Sequence, residues 1–255
     1  LWCAAAAPNG TLYAAGADGK VIALDSRGQA RVVATLDGGP VYALAVHPKG
    51  DVFAATSPDA KIYRITPDGK ATVFAEPKAR YIWALVFDSA GTLFAAAGDP
   101  GQILKFSPQG EASVLFDAEE AHVRALVADG KGNLIAGTEP SGLVIRVSPA
   151  GQGFILYQTA KREVTALLVG KDGGIYAAAS GVRGAPRPVV PVTPPVAPVP
   201  VQPSSTQSAA PAPQGVQAQP RAAVPAPPTF SLAPPTATGG SEIYRIAADG
   251  EPKRV

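Results

Sequence analysis

The chain has 255 residues, a formal net charge of +2, one cysteine, no methionine, and 27 each of glycine and proline. A single cysteine excludes an intrachain disulfide, and no apolar run reaches the roughly 18 residues that span a bilayer as a helix. The positive excess sits in a Pro-rich stretch (181–240) with Arg183, Arg187 and Arg221 and no acidic residue, so the remainder is near neutral and gives no electrostatic footprint for nucleic acid or an anionic membrane.

In chain order, residues 1–40 hold four short β-rich runs: LWCAAA, LYAAG, KVIALD and ARVVAT. The set recurs at 41–81 as VYALAV, VFAAT, KIYRIT and ATVFAE, and at 82–122 as IWALVF, LFAAA, QILKFS and ASVLFD. It recurs again at 123–163 as VRALVA, LIAGT, LVIRVS and GFILYQ, and at 164–255 as VTALLV, IYAAA, EIYRIA and a truncated PKRV. Runs of this length, rich in Val, Ile, Tyr and Phe and bounded by Gly, Pro and Asp, predict strands. The opening LWCAAA is thereby read as a first strand and not as the end of a signal peptide.

The step is 41 residues. Val41, Ile82, Val123 and Val164 keep it, as do Gly50, Gly91, Gly132 and Gly173, and Gly28, Gly69, Gly110 and Gly151. The glycines end short turns (PNG, PKG, SAG; SRG, PDG, PQG) of the kind that close antiparallel hairpins. Four antiparallel strands per copy make a small sheet that cannot bury both faces alone, and stacking such sheets around an axis solves this. The predicted fold is therefore all-β: a β-propeller of five four-stranded blades (1–40, 41–81, 82–122, 123–163, 164–255). The chain opens on the first strand of a copy and ends inside a fourth strand, which predicts part of a larger ring of six to eight blades. Small residues recur in the first two strands (Cys3, Ala43, Ala84, Ala125, Ala166; Ala14, Ala54, Ala95, Ala136, Ala177), as the crowded axis requires.

In the fifth copy, Gly151 to Gly250 spans 99 residues where the step is 41, which marks a 58-residue insertion at 182–239 between strands two and three. It holds 16 prolines and predicts an extended or disordered segment. Two readings are open for it: a solubilising spacer, or a docking arm through PVTP (191–194) and PVAP (195–198). In a meander both hairpin turns fall on one edge of each blade, the turn edge. The links between blades fall on the other, the crossover edge, where the insertion also leaves.

The second position of strand one changes character from copy to copy: Trp2, Tyr42, Trp83, Arg124 and Thr165. It lies at the axial start of the inner strand on the crossover edge, and Trp, Tyr and Arg are enriched at binding hot spots. These five residues, with His122 beside Glu119 and Glu120, are the candidate ligand- or partner-binding residues; the alternative is that they pack between blades. The other histidine, His47, falls on the turn edge, so the pair makes no shared metal site. Strand three carries Arg64, Lys105, Arg146 and Arg245, and the loop before it carries Asp18, Asp59, Asp99 and Glu139, which predicts repeated scaffold ion pairs. The crossovers carry Arg80, Glu119, Glu120, Lys161, Arg162 and Glu163, which reads as a solvated surface of mixed sign. No Ser-His-Asp order, GxSxG elbow, Walker loop or CxxC occurs.

Three hairpins, PDAKIYRITPDGK (58–70), DPGQILKFSPQGE (99–111) and SEIYRIAADGE (241–251), carry a resemblance to the NHL, SMP-30/gluconolactonase-like and WD40-like propellers. The first unit, LYAAGADGKVIALDSRG (12–28), is similar to a PQQ-type repeat. The resemblance implies a propeller. For the lactonases and lyases it implies Glu, Asp, Asn or His around the central channel holding a divalent metal, where this chain has Leu1, Val41, Ile82, Val123 and Val164.

The expected function is a non-enzymatic scaffold, without a cofactor, that binds a protein, small-molecule or carbohydrate ligand on the crossover edge. The alternative is a metal-dependent lactonase, hydrolase or lyase of the SMP-30-like type whose ligands lie outside this sequence. A Pro/Ala-rich arm of this composition leads to an expected extracytoplasmic (periplasmic or secreted) location.

Overall fold

A computed structural model describes residues 1–182, 240–247 and 252–254. Apart from its first residue, the predicted insertion at 182–239 lies outside the described residues.

All described elements are strands, and no helix occurs among them. The first copy forms one antiparallel sheet of β1 (Cys3–Ala6), β2 (Leu12–Ala15), β3 (Lys20–Leu24) and β4 (Ala30–Thr35), in that order. The second forms another from β5 (Val41–Val46), β6 (Val52–Thr56), β7 (Ile62–Ile65) and β8 (Ala71–Ala75).

The third and fourth copies share a six-stranded sheet: β9 (Tyr81–Phe87), β10 (Leu93–Phe106), β11 (Ala112–Ala128), β12 (Leu134–Glu139), β13 (Leu143–Val147) and β14 (Gly153–Gln158). The last sheet holds β15 (Lys161–Val169), β16 (Ile175–Val182), β17 (Glu242–Ile246) and β18 (Pro252–Arg254).

The structure thus shows four antiparallel sheets in a propeller arrangement where the periodicity predicts five. The registers show why. The first half of β10 pairs with β9, and its second half turns to pair with the first half of β11. The second half of β11 then pairs with β12. Both long strands bend where bulges interrupt the register, near Asp99 (φ 48°) and Glu119 (φ 53°), residues without the glycine that normally takes such angles. Backbone pairing continues through two connections that are open loops in the other copies, and it welds copies three and four together.

The inner strands are neighbours in sequence order, β1 on β5, β5 on β9, β9 against β11 and β11 against β15. The core is divided among the seams between copies. Each of four apolar clusters draws on two consecutive copies, as where Val21 and Ala34 of the first meet Val52 and Ile65 of the second. Val41, Ile82, Val123 and Val164 are fully buried, as are the strand-two alanines Ala54, Ala95 and Ala177. Each such branched side chain contributes about 1.5–3 kcal/mol of burial. The fourth strands show the reverse periodicity, because Val32, Val73, Val114 and Ile155 stand about half exposed on the rim.

The turn glycines have a second role that spacing alone does not reveal. Gly69 and Gly110 adopt φ of 87° and 90°, as expected of a hairpin turn. A Cβ on Gly69 would also stand 2.8 Å from the Val33 carbonyl oxygen of the preceding copy, and one on Gly110 would collide with the Phe74 carbonyl. The turn is pressed against its neighbour's outer strand, so glycine is needed for close approach as well as for backbone angle.

A candidate binding site on the crossover edge

In copies two to five the inner strand carries a fully buried residue, Val41, Ile82, Val123 or Val164, just before the variable position, whereas Leu1 of the first copy is exposed. A register shift in each of these strands leaves Tyr42, Trp83, Arg124 or Thr165 as the unpaired bulge residue, and Trp2 takes the equivalent position just before β1. The Trp2 and Tyr42 ring centroids are 4.8 Å apart with a 47° tilt. Tyr42 meets Trp83 edge-on at 5.3 Å. The Arg124 guanidinium carbon lies 3.8 Å from the Trp83 ring centroid. These four residues form one continuous row across four copies.

Further residues fix the row. Tyr81 stacks on Trp83 at 4.8 Å and 19°. The Trp83 Nε1–H donates to His122 Nδ1 at 3.3 Å. Gly98 makes that pairing possible, since a Cβ there would collide with both the His122 imidazole and the Trp83 indole nitrogen. Arg124 Nε donates to Glu163 at 2.7 Å and lies 3.8 Å from Glu139, which in turn pairs with Arg162 at 3.3 Å. Two cations and two carboxylates close that end of the row without net charge.

Trp2, Tyr42, Trp83, Arg124 and His122 are brought together. Thr165 is not joined to them by a ring contact or ion pair; its hydroxyl donates to the Ala178 carbonyl at 3.3 Å. Trp2 is 52% exposed, while Trp83 is half-buried and enclosed by Tyr81, His122, Tyr42 and Arg124. Trp83 is thus the packed centre of the row and Trp2 its open end. Tyr81, Gly98, Glu139 and Glu163 complete the site. Tyr81 lies one residue before the copy boundary, and its partner is visible only once the strand pairs.

The ion pairs expected of strand three form with different partners. Arg64 donates through Nε to Asp51 at 2.8 Å, and Arg245 pairs with Asp172 at 2.7 Å. Both carboxylates sit on the turn edge. Two of the loop acids pair locally instead, Asp18 with Lys20 at 3.3 Å and Asp59 with Lys61 at 3.8 Å, while Asp99 meets Arg80 and Glu139 meets Arg124 and Arg162. Register decides this, because a strand-three basic residue near the turn edge cannot reach a loop at the opposite end. Lys161, expected at a solvated crossover, is buried and pairs with Glu242 at 3.5 Å.

Burial pushes the Cys3 thiol up to about 11. Among the described residues, no group of three or more His, Cys, Asp or Glu is placed to hold a metal ion. The inner-strand starts present apolar and aromatic side chains, a donor set that does not fit the divalent cation the family resemblance implies. No described helix is long and apolar enough to cross a membrane.

No protein-family model and no curated protein sequence matches the chain. Solved structures do match by fold. Virginiamycin B lyase from Staphylococcus aureus superimposes with a TM-score of 0.68 at 14% identity, over 99% of this chain and 68% of that one. A catalytically inactive histidine-to-alanine form of that lyase with quinupristin gives 0.60 at 18% identity, and this chain spans 61% of its length. The nidogen/laminin complex matches with a TM-score of 0.60 at 19% identity, over 67% of this chain and 70% of that one. The calcium-binding protein regucalcin from Agrobacterium tumefaciens gives 0.57 at 18% identity, over 71% and 67%. At these identities the likeness shows a shared propeller-like fold.

Proposed function

We propose that each 41-residue copy is one blade, that copies three and four are blades joined by backbone pairing, and that the five belong to a ring of six to eight. On this reading the chain is a non-enzymatic binding scaffold. Its crossover edge takes a protein segment or a small molecule, carbohydrates included, along the row of rings. One observation carries the proposal: Trp2, Tyr42, Trp83 and Arg124 touch in sequence across four copies and leave Trp2 open to solvent. A row of amphipathic rings ending in an ion-paired arginine supplies flat apolar area with few rotamers to freeze, the property that makes Trp, Tyr and Arg dominant in binding. The scaffold is proposed to work outside the cytoplasm, with the Pro-rich insertion leaving from the same edge.

The two tryptophans of the chain both lie in this row, so selectively excited tryptophan fluorescence reports on the site. Titration with a panel of oligosaccharides and Pro-rich peptides should give a saturable change with at least one of them. Trp2→Ala and Arg124→Ala should each weaken it about tenfold while thermal unfolding stays cooperative. A ligand whose affinity is indifferent to both substitutions would place binding elsewhere.

A second reading is a lyase-like activity, favoured by the fold likeness to virginiamycin B lyase and by His122, whose Nδ1 is held by the Trp83 indole while Nε2 is left for chemistry. Turnover of quinupristin that disappears in His122→Ala would establish it.

A further inference from the structure

Four side chains meet near the turn edge of every seam, from strands two and four of the earlier copy and strands one and three of the later. At the first seam they are Tyr13, Val33, Val46 and Ile65. At the third they are Phe94, Leu115, Ala128 and Val147, and at the fourth Ile135, Leu156, Val169 and Ile246. At the second seam all four are phenylalanine: Phe53, Phe74, Phe87 and Phe106. Phe53 meets Phe74 edge-on at 5.0 Å and Phe87 at 5.2 Å, and Phe74 lies 6.2 Å from Phe106.

These rings wall a cleft of about 390 Å³. The corresponding cleft at the fourth seam, beside Asp129 and Arg146, is about 110 Å³. Rigid flat rings at all four positions leave space that mixed aliphatic side chains fill by interdigitating. The volume lies within the 300–1,000 Å³ typical of small-molecule sites, whose walls are likewise mostly apolar and aromatic.

The rim departs from the repeat as well. The copies with Asp88 and Asp129 cap the first turn by accepting backbone N–H groups two and four residues on. The second copy has His47, whose Nδ1 accepts from the Lys49 N–H at 3.0 Å and whose ring sits edge-on to Phe87 at 5.0 Å. That acceptor role puts the proton of the neutral ring on Nε2. Arg64 is neutralised by Asp51. Lys49 is exposed, and no ion pair engages it among the described residues. The rim therefore carries one uncompensated positive charge above an aromatic floor.

The geometry points to a second ligand site at the seam of copies two and three, on the edge opposite the Trp2–Arg124 row, for a small amphipathic monoanion: a flat aromatic body against the Phe floor and one carboxylate or sulfonate toward Lys49. The aromatic walls select the body by offset and edge-on contact, and the lone ammonium selects the charge.

Anilinonaphthalene sulfonate, an aromatic monoanion that fluoresces in apolar surroundings, tests this on the full chain, with phenylnaphthylamine as its uncharged counterpart. The sulfonate should saturate at one per chain and bind about tenfold tighter than the amine. Lys49→Glu should abolish that preference, Thr92→Trp or Ala90→Trp should fill the cleft and remove binding of both dyes, and Trp2→Ala should leave both unchanged. Circular dichroism melts of the two filling variants identify one that is folded. Multiple unsaturable sites, a preference unchanged by Lys49→Glu, or binding that survives in a folded filling variant would overturn the assignment.

Discussion

The Arg124 guanidinium lies over the Trp83 ring at 3.8 Å while its Nε donates to Glu163 at 2.7 Å. One cation thus joins the aromatic row of the first three copies to two carboxylates of the fourth. A double-mutant cycle between Trp83→Leu and Arg124→Met should give a coupling of about 0.5–2 kcal/mol, the range for a partly desolvated cation–π pair. Arg124→Lys should recover less than half of it, since an ammonium cannot stack on the ring and hold a carboxylate in plane together. Urea unfolding followed by Trp fluorescence in the variants that keep Trp83, and by circular dichroism in the others, measures both.

Gly28 and Gly110 occupy equivalent turns with φ of 78° and 90°, yet a Cβ on Gly28 meets nothing within 4 Å whereas one on Gly110 strikes the Phe74 carbonyl. Gly28→Ala should cost only the left-handed backbone penalty of about 1–2 kcal/mol. Gly110→Ala should cost about 1–3 kcal/mol more, the cost of forcing atoms into a closed contact. The difference between the two unfolding free energies isolates what the seam contributes.

Ile82 and Val73 are both branched strand residues, but Ile82 is fully buried and Val73 is 50% exposed. Ile82→Ala should lower stability by about 2–5 kcal/mol, and Val73→Ala by about 0.5 kcal/mol or less. Equal losses in chemical denaturation would contradict the placement of the core at the seams.

Burial pushes the Asp129 carboxyl up, but hydrogen bonds from the Asn133 amide and the Lys131 and Asn133 backbone N–H groups, with Arg146 nearby, outweigh it and hold the group below its ordinary 3.8. A depressed folded-state value means that the carboxylate's stabilisation is present above about pH 4. It is lost as pH falls through the lowered value. Thermal unfolding midpoints between pH 6 and pH 2 should fall less steeply for Asp129→Asn, which keeps an acceptor oxygen for the turn but has no proton to take up in that range.

Much of the fold is legible as arithmetic. The 41-residue step placed every inner strand and aligned Trp2, Tyr42, Trp83 and Arg124 as equivalent positions. Equivalence is not contact, however: that the four side chains touch depends on the angle between neighbouring sheets, which no spacing encodes. The run-on of β10 and β11 was hidden for a different reason. It rests on Asp99 and Glu119 taking backbone angles that their side chains disfavour, so local propensity pointed to open loops. The partners of Arg64 and Arg245 were hidden by register, which sets which end of a strand a long side chain can reach. The seam of four phenylalanines was readable in principle, since Phe53, Phe74, Phe87 and Phe106 stand out once the copies are superimposed and adjacent ones compared in pairs.

Copies three and four share one hydrogen-bonded sheet, while the other described seams lie between separate sheets. Bending between those two copies would have to break backbone pairing at His122, which pairs with Gly98 of the third copy and with Glu139 of the fourth. Bending at the second seam would move the phenylalanines past one another, and with them the Ile82 N–H bond to Ser57 Oγ and the Tyr42–Trp83 ring contact. The molecule therefore has a joint within one sheet and a joint between two sheets side by side, and the cleft sits in the second. A ligand wedged among those rings would act as a shim, setting the angle at which the Tyr42 and Trp83 rings meet on the far edge.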